Sequence, residues 1–202
     1  MSLKLRQFLR LIFCVEIWTC TYCSTGLLFP STGIAATVVV LGEAHGTNES
    51  PAFVRRLISK AIEEGGARVL LGIETDSASA DWLAAPSTAR SCNAFLKLGF
   101  WGRPIRSQDG RSSTAMANLW CWSLEHVNKS EFDVFGIDIQ HPNESLIRFL
   151  NISSRIRPDL IIFFVGSMHA RRNEMERSKH DFVSLVESSS SELIVTRYLM
   201  AT

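Results

Sequence analysis

The chain has 202 residues and a formal net charge of +1, which suits one domain without a marked excess of either charge. Hydrophobic residues make up 46% of it and charged residues 20%, the balance of a globular protein with a buried core. Nucleic-acid-binding modules usually carry a basic face, and no lysine- and arginine-rich cluster stands out in this sequence. We therefore expect no nucleic acid among its partners.

The first 36 residues differ from the rest. A start with one lysine and two arginines precedes an apolar stretch, Leu11–Phe29, and then the small residues Ala35 and Ala36. This order is typical of a secretory signal peptide, and it predicts that residues 1–36 form one. The protein is then expected to be exported, either to the periplasm or to the medium as a secreted protein. Glu16 interrupts the apolar stretch, so an uncleaved membrane anchor is the alternative. Either way, we expect membrane contact only through this segment.

The first half of the remaining chain, a single predicted domain over residues 37–202, begins with strand, helix and strand. Thr37–Gly42 and Arg68–Thr75 are short, nearly continuous apolar runs that predict strands buried on both faces, as in a parallel sheet covered by helices. Between them, Ser50–Glu64 has apolar residues at 3.6-residue spacing and predicts a helix. Pro86–Arg111 is irregular and predicts either a lid or binding loop, or a surface excursion.

The second half continues the alternation. The predicted elements, in chain order, are a helix at Ser112–Val127, a strand at Asp133–Gln140, a helix at Glu144–Ser153, a strand at Asp159–Val165, a helix at His180–Glu187 and a strand at Glu192–Tyr198. Alternating strands and helices are typical of an α/β fold with a central, mostly parallel sheet flanked by helices.

Two cysteines, Cys92 and Cys121, lie beyond the predicted signal peptide. An export compartment would permit a disulfide between them, but the sequence does not show that they meet. Neither belongs to a C-x-x-C pair, so we do not expect a zinc site built on thiolates.

Polar side chains cluster where the predicted strands end. Glu43 and His45 follow the first strand, Glu74 ends the second, and His169 lies just beyond the fourth, while Asp138 has a similar place in the third. Ligands of open α/β sheets bind at the carboxyl ends of the strands, and unpaired buried charge is costly. These positions therefore predict one functional site at that edge of the sheet.

Two of the strand ends share one local pattern. Gly42–His45 and Gly166–His169 both read G-x-x-H and directly follow apolar runs. Glycine permits a sharp turn and close approach to the backbone, and a histidine that is neutral near pH 7 can act as a ligand or a base. One copy would be weak evidence, whereas two copies at equivalent strand ends favour a site.

The run Leu41–Glu49, which reads LGEAHGTNE, resembles the opening signature of the erythromycin-esterase/ChaN-like superfamily, which also includes the Tiki and TraB proteins. The paired G-x-x-H motifs and the strand end at Glu74 fit the same superfamily. The resemblance covers about Thr37 to Arg172, with firm matches only at the motifs. It implies an α/β fold with the ligand site above the sheet.

The resemblance also implies roles for particular residues. Four of them match positions used for catalysis or metal binding in the esterase and metalloprotease branches, namely Glu43, His45, Glu74 and His169. Arg55 matches an arginine of the esterase site, or is a solvated surface residue. The macrolide esterases have large helical additions that this chain lacks, so a large macrolide is not the expected substrate.

The haem-binding ChaN branch uses a tyrosine. The only tyrosine after residue 36 is Tyr198, for which we expect packing in the last strand. Arg171, beside the second G-x-x-H motif, is a candidate for binding an anionic substrate group. An ion pair of Glu74 with Arg55 or Arg171 is an alternative to a catalytic role for Glu74.

Two chemistries fit this set of residues. In one, His45 and His169 with Glu43 or Glu74 hold a divalent transition metal, which lowers the pKa of a bound water. In the other, His45 activates water directly and Glu74 orients it. Either way we predict an exported hydrolase-like protein acting on an ester or amide, in a small-molecule or peptide substrate. The alternative is a non-catalytic haem- or metal-binding protein of the ChaN type.

Overall fold

A computed structural model of the protein describes residues 36–85, 90–104, 110–127, 130–170, 181–189 and 193–199. The predicted signal peptide lies outside these residues, except for Ala36. In the described part of the chain, no helix is long and apolar enough to cross a membrane. The elements, in order, are β1 (Thr37–Glu43), α1 (Glu49–Glu63), β2 (Val69–Thr75), α2 (Ser77–Ala84), α3 (Cys92–Phe95), a 3-10 turn (Gly110–Ser112), α4 (Thr114–His126), β3 (Phe132–Asp138), α5 (Pro142–Ile156), β4 (Leu160–Gly166), α6 (Ser167–Ala170), α7 (Phe182–Ser189) and β5 (Ile194–Leu199).

The five strands form one parallel sheet in the order β3-β2-β4-β1-β5. Every residue of β1, β2, β3 and β4 is buried, because helices cover both faces of the sheet. The prediction of an α/β fold with a mostly parallel sheet flanked by helices is therefore confirmed, and all the observed strand pairs are parallel.

Two hydrophobic cores lie on the two faces of the sheet. On one face, α1 and α4 pack on the sheet through side chains such as Leu57 and Trp120. On the other face, α5 and α7 contribute Phe149 and Phe182. These two rings lie 5.6 and 4.9 Å from the ring of Phe163 in β4, in edge-on contacts that aromatic rings prefer.

The connections between strands change from one face of the sheet to the other at its carboxyl edge. After β1 and β2 the chain builds the helices of the first core, and after β3 and β4 it builds the helices of the second core. Because β4 lies between β2 and β1, neighbouring strands send the chain to opposite faces on both sides of β4. Ligands of open α/β sheets bind at such switch points.

The sequence did not reveal the short helix α2, which directly precedes the stretch predicted as irregular. Asp76 caps the start of α2 by accepting a hydrogen bond from the backbone N–H of Ser79 at 2.9 Å. A second oxygen of the same carboxylate accepts from the backbone N–H of Phe100. The backbone of the Phe100 segment is thus attached to the end of β2.

A disulfide between Cys92 and Cys121 attaches the same stretch to α4, with 4.8 Å between the Cα atoms. Next to it, the buried ring of Phe95 packs against Trp120 with a centroid distance of 4.6 Å. This stretch is therefore docked on the first core through Phe95 and Trp101, and Phe100 is 9% exposed.

Candidate functional site

The ends of three adjacent strands bring together Glu43, Glu74 and Gly166. Glu43 and Gly166 are directly opposite each other in the β1–β4 register, and Glu74 ends the strand on the other side of β4. Both carboxylates are buried, with 3% and 5% of the residue surface exposed. Since burying an unpaired charge is costly, each carboxylate needs partners, and these partners determine which chemistry this edge of the sheet can support.

Glu43 and His45 form a hydrogen-bonded pair. Oε1 of Glu43 lies 2.9 Å from Nδ1 of His45, whose side chain is 30% exposed. In the neutral imidazole this contact assigns the proton to Nδ1, so the lone pair is on Nε2. The other oxygen of Glu43, Oε2, is buried and has no hydrogen-bond partner among the described residues.

The Nε2 atom of His45 faces the second G-x-x-H motif at its glycine. A Cβ atom on residue 166 would lie 3.0 Å from Nε2 and 3.3 Å from Oε2 of Glu74. Any side chain at this position would crowd the space between the imidazole and the carboxylate. Gly166 therefore permits the close approach of the His45 imidazole and the Glu74 carboxylate to the end of β4, so the two motifs have different roles.

Glu74 is held by the protein through both oxygens. Oε2 accepts a hydrogen bond of 2.7 Å from the backbone N–H of Gly166, and Oε1 accepts one of 3.1 Å from the guanidinium of Arg111. The Arg111 guanidinium also lies over the Phe100 ring, 4.1 Å from its centroid. The ion pair that we considered for Glu74 is thus made with Arg111, not with Arg55.

Arg111 is not among the site residues predicted from the sequence. Its partner Glu74 is 37 positions away, and the Asp-Gly pair before it is typical of a turn. The approach is close: a Cβ on Gly110 would lie 2.3 Å from the backbone N of Gly46 and from the carbonyl carbon of His45. Only a glycine allows this contact, which places Arg111 beside His45.

The charges around His45 favour its protonated form. The hydrogen bond to Glu43 raises the pKa of His45 above its usual 6.5, and burial opposes this effect. The negative charges of Glu74 and Glu43 raise the same pKa further, whereas Arg111 lowers it. The pair is therefore a histidine base whose proton affinity is increased by a buried carboxylate.

The other predicted site residues have different surroundings. His169 lies on α6, at the end of β4, half-buried, with no hydrogen bond to any residue that the structure describes. Arg55 is exposed on α1, and its guanidinium lies 5.4 Å from the centroid of the Trp122 ring. Arg171 lies outside the described residues, so its role stays a prediction.

Asp138, at the end of β3, forms a second polar cluster. Its Oδ2 accepts a hydrogen bond of 2.6 Å from Ser77 and lies 2.8 Å from Nδ1 of His141, while Oδ1 accepts from the backbone N–H of Gln140. Ser77 and His141 both contact Oδ2 of Asp138, and the Ser77 hydroxyl oxygen lies 3.3 Å from Nδ1 of His141. A serine–histidine–aspartate triad needs the serine at Nε2, so this arrangement is not a triad.

The donors at this edge of the sheet do not fit a metal ion as they stand. Among the described histidine, cysteine, aspartate and glutamate residues, no three are grouped to hold one. Both oxygens of Glu74 are engaged, and a cation there would compete with Arg111. Oε2 of Glu43 and Nε2 of His45 remain as a pair of donors, and His169 is not grouped with them, whereas a catalytic zinc site usually has three donors from the protein.

Fold and site together define an α/β protein with a carboxylate–histidine pair and a carboxylate–arginine pair at a switch point of a parallel sheet. No model of a known protein family matches the chain, and no similar curated protein or solved structure was found.

Proposed function

We propose that the protein is a hydrolase that cleaves an ester or amide with a water molecule activated by His45. The observation that supports this most directly is the hydrogen bond between Glu43 and Nδ1 of His45, which leaves Nε2 as the basic atom. Nε2 lies in close approach to Gly166 at the end of β4. The buried Oε2 of Glu43, unpartnered among the described residues, is a second acceptor for a water or substrate proton.

In this mechanism Nε2 of His45 takes a proton from water as the water oxygen attacks the carbonyl carbon. The Glu43 carboxylate stabilises the imidazolium that forms, as a buried carboxylate does in other histidine bases. Arg111, oriented by Glu74 and by the Phe100 ring, supplies positive charge for the oxygen of the tetrahedral intermediate. The imidazolium then returns its proton to the leaving alcohol or amine, and an acid is the other product.

The alternative is a non-catalytic protein that binds haem or a divalent metal. Tyr198, the tyrosine considered as a haem ligand, packs partly buried against the first core in β5. The two engaged oxygens of Glu74 favour water activation without a metal. Direct hydrolysis is therefore the leading proposal, and ligand binding is a distinct outcome of its test.

The test is a screen of small esters and amides with the full-length chain and two variants. His45→Ala removes the base, and we expect hydrolysis to fall by about a hundredfold or more. Gly166→Ala retains every reacting group but displaces Nε2 of His45, and we expect a loss of about a hundredfold from this displacement alone.

Ser167→Ala is the matched control, because it alters the neighbouring position without filling the space at Gly166. It should keep the wild-type rate, since water and not a serine is the nucleophile. Circular dichroism shows whether the variants are folded.

Elemental analysis and a haem titration followed at the Soret band complete the test. Equal turnover by the wild type and His45→Ala would contradict the proposal, and stoichiometric haem or metal without turnover would favour the alternative.

A further inference from the structure

Four sequons of the form N-x-S, the acceptors of N-linked glycans in secreted proteins, occur in the chain. Their asparagines are Asn48, Asn128, Asn143 and Asn151. Serine and threonine make up about a sixth of the residues, so chance would create a sequon at about one of the seven asparagines. The chain therefore has more sequons than its composition explains.

Three of these asparagines lie in the described part of the chain, and all three are exposed. The sequon of Asn48 is directly followed by Pro51, which restricts the backbone of the residue before it. The sequons of Asn143 and Asn151 are followed by a leucine and a serine, which impose no such restriction. The last two sequons are therefore the better acceptors.

Asn143 and Asn151 lie on the same side of α5. They are eight positions apart, and Ile147 lies midway between them, about one turn from each, with 59% of its surface exposed. Phe149, on the opposite side of the helix, is buried in the second core. The side of α5 that carries the two asparagines thus faces solvent, and a glycan there would not displace the helix from the sheet.

The serines of these two sequons are buried, and their hydroxyls differ in the folded protein. The Ser145 hydroxyl accepts a hydrogen bond from the backbone N–H of Asp138 at 2.9 Å and donates to its backbone carbonyl at 3.1 Å. The Ser153 hydroxyl has no hydrogen-bond partner among the described residues, which is an unfavourable state for a buried polar group. Folding therefore gives no reason for a hydroxyl at residue 153, whereas the sequon of Asn151 requires one.

The disulfide between Cys92 and Cys121 is typical of an oxidising compartment such as the secretory pathway. The signal peptide predicted over residues 1–36 would direct the chain to that pathway. We propose that α5 carries N-linked glycans at Asn143 and Asn151. The proposal rests on the predicted export, in its secreted form, and is independent of the hydrolase.

The donor of each glycan is a lipid-linked oligosaccharide pyrophosphate, used by a transferase of the secretory pathway. Nδ2 of the asparagine forms a bond to the anomeric carbon of the oligosaccharide. The bond from that carbon to the pyrophosphate oxygen breaks, and the lipid pyrophosphate leaves. The proton lost from the amide nitrogen passes to a base of the transferase. The side-chain amide of each asparagine is thereby converted to an N-glycosidic amide.

The test uses the full-length chain, produced in cultured animal cells. Protein from cells and medium is treated with peptide N-glycosidase, which converts each glycan-bearing asparagine to aspartate, and peptide mass spectrometry locates the converted positions. Asn143→Gln and Asn151→Gln should each remove one glycan. Ser153→Ala should remove the glycan from Asn151 although this asparagine is retained. Because transfer precedes folding, a variant that folds poorly remains informative.

Two variants are matched controls and should keep both glycans. Asn118→Gln changes an exposed asparagine on α4 that belongs to no sequon. Ser123→Ala changes a serine on α4 that is also buried without a described hydrogen-bond partner, and that follows no asparagine at sequon spacing. Together they separate the loss of a sequon from the loss of an amide or of a buried hydroxyl.

Secreted wild-type protein without a glycan at either position would overturn the proposal and leave the predicted export standing. Wild-type protein retained in the cells with residues 1–36 attached and no glycan would overturn both. A glycan on Asn151 in Ser153→Ala, or its loss in Ser123→Ala, would also overturn the proposal, since the sequon hydroxyl would then not decide the transfer.

Discussion

His45 differs from an ordinary surface histidine because of the residues on either side of its ring. Glu43 contacts Nδ1, and Gly166 permits the close approach of Nε2 to the end of β4. The first contact joins residues two positions apart, so the sequence alone places Glu43 close to His45. The second contact crosses from β1 to β4 and depends on the strand register.

The protonation of His45 can be followed directly. We expect a pKa above 6.5 by NMR titration of its ring, because the hydrogen bond to Glu43 stabilises the imidazolium. Glu43→Gln removes the first cause of this increase, so the pKa should fall, and the acid limb of any hydrolysis profile should move to lower pH with it. Glu63→Gln, which changes an exposed glutamate on α1, is the control. An unchanged pKa in Glu43→Gln would show that the contact does not set the protonation of His45.

At the scale of elements, the stretch between α2 and α4 depends on a few long-range attachments. The disulfide joins α3 to α4, Asp76 holds the backbone of Phe100, and Arg111 reaches Glu74 from the 3-10 turn. The sequence predicted this stretch as a lid, a binding loop or a surface excursion. Its helix α3 and its 3-10 turn carry too little periodic pattern to be recognised, since four and three residues give only about one turn each.

Removing the disulfide should loosen this stretch. A disulfide that closes a loop of this size stabilises a domain by about 2–4 kcal/mol, chiefly by restricting the unfolded chain, so reduction should lower the free energy of unfolding by that amount. Urea unfolding with and without a reductant measures the effect. The double variant Cys92→Ser/Cys121→Ser should be less stable and insensitive to the reductant. If the reductant still lowers the stability of this variant, its effect comes from other cysteines, which lie outside the described residues.

For the whole molecule, four titrating groups predict a pH window of greatest stability. The pKa values of His45 and His141 are raised above 6.5 by hydrogen bonds to Glu43 and Asp138. Burial alone would raise the pKa of Asp138 and of Asp159, but hydrogen bonds, from Ser77 and from Arg68 first, hold both below 3.8.

The sign of each contribution follows from linkage. The histidine contributions are complete below 6.5 and are lost as the pH rises through the raised pKa values of the folded state. The aspartate contributions are present above 3.8 and are lost as the pH falls through the lowered values. Urea unfolding across the pH range should therefore give the largest free energy between these limits. A maximum of stability above pH 8 would contradict this expectation. Asp138→Asn removes the shifts of both Asp138 and His141, so it should flatten the acidic and the basic side of the plot of unfolding free energy against pH.

The sequence by itself determined the α/β class, the positions of the five strands and four main helices to within a few residues, and the strand ends that carry Glu43, Glu74 and Asp138. These features depend on local periodicity and on burial, which neighbouring residues encode. Only the tertiary structure decided that Gly166 lies against His45, that Glu74 pairs with Arg111, and that Cys92 meets Cys121. Such contacts join residues far apart in the chain, and the order of strands in the sheet and the docking of the irregular stretch bring them together.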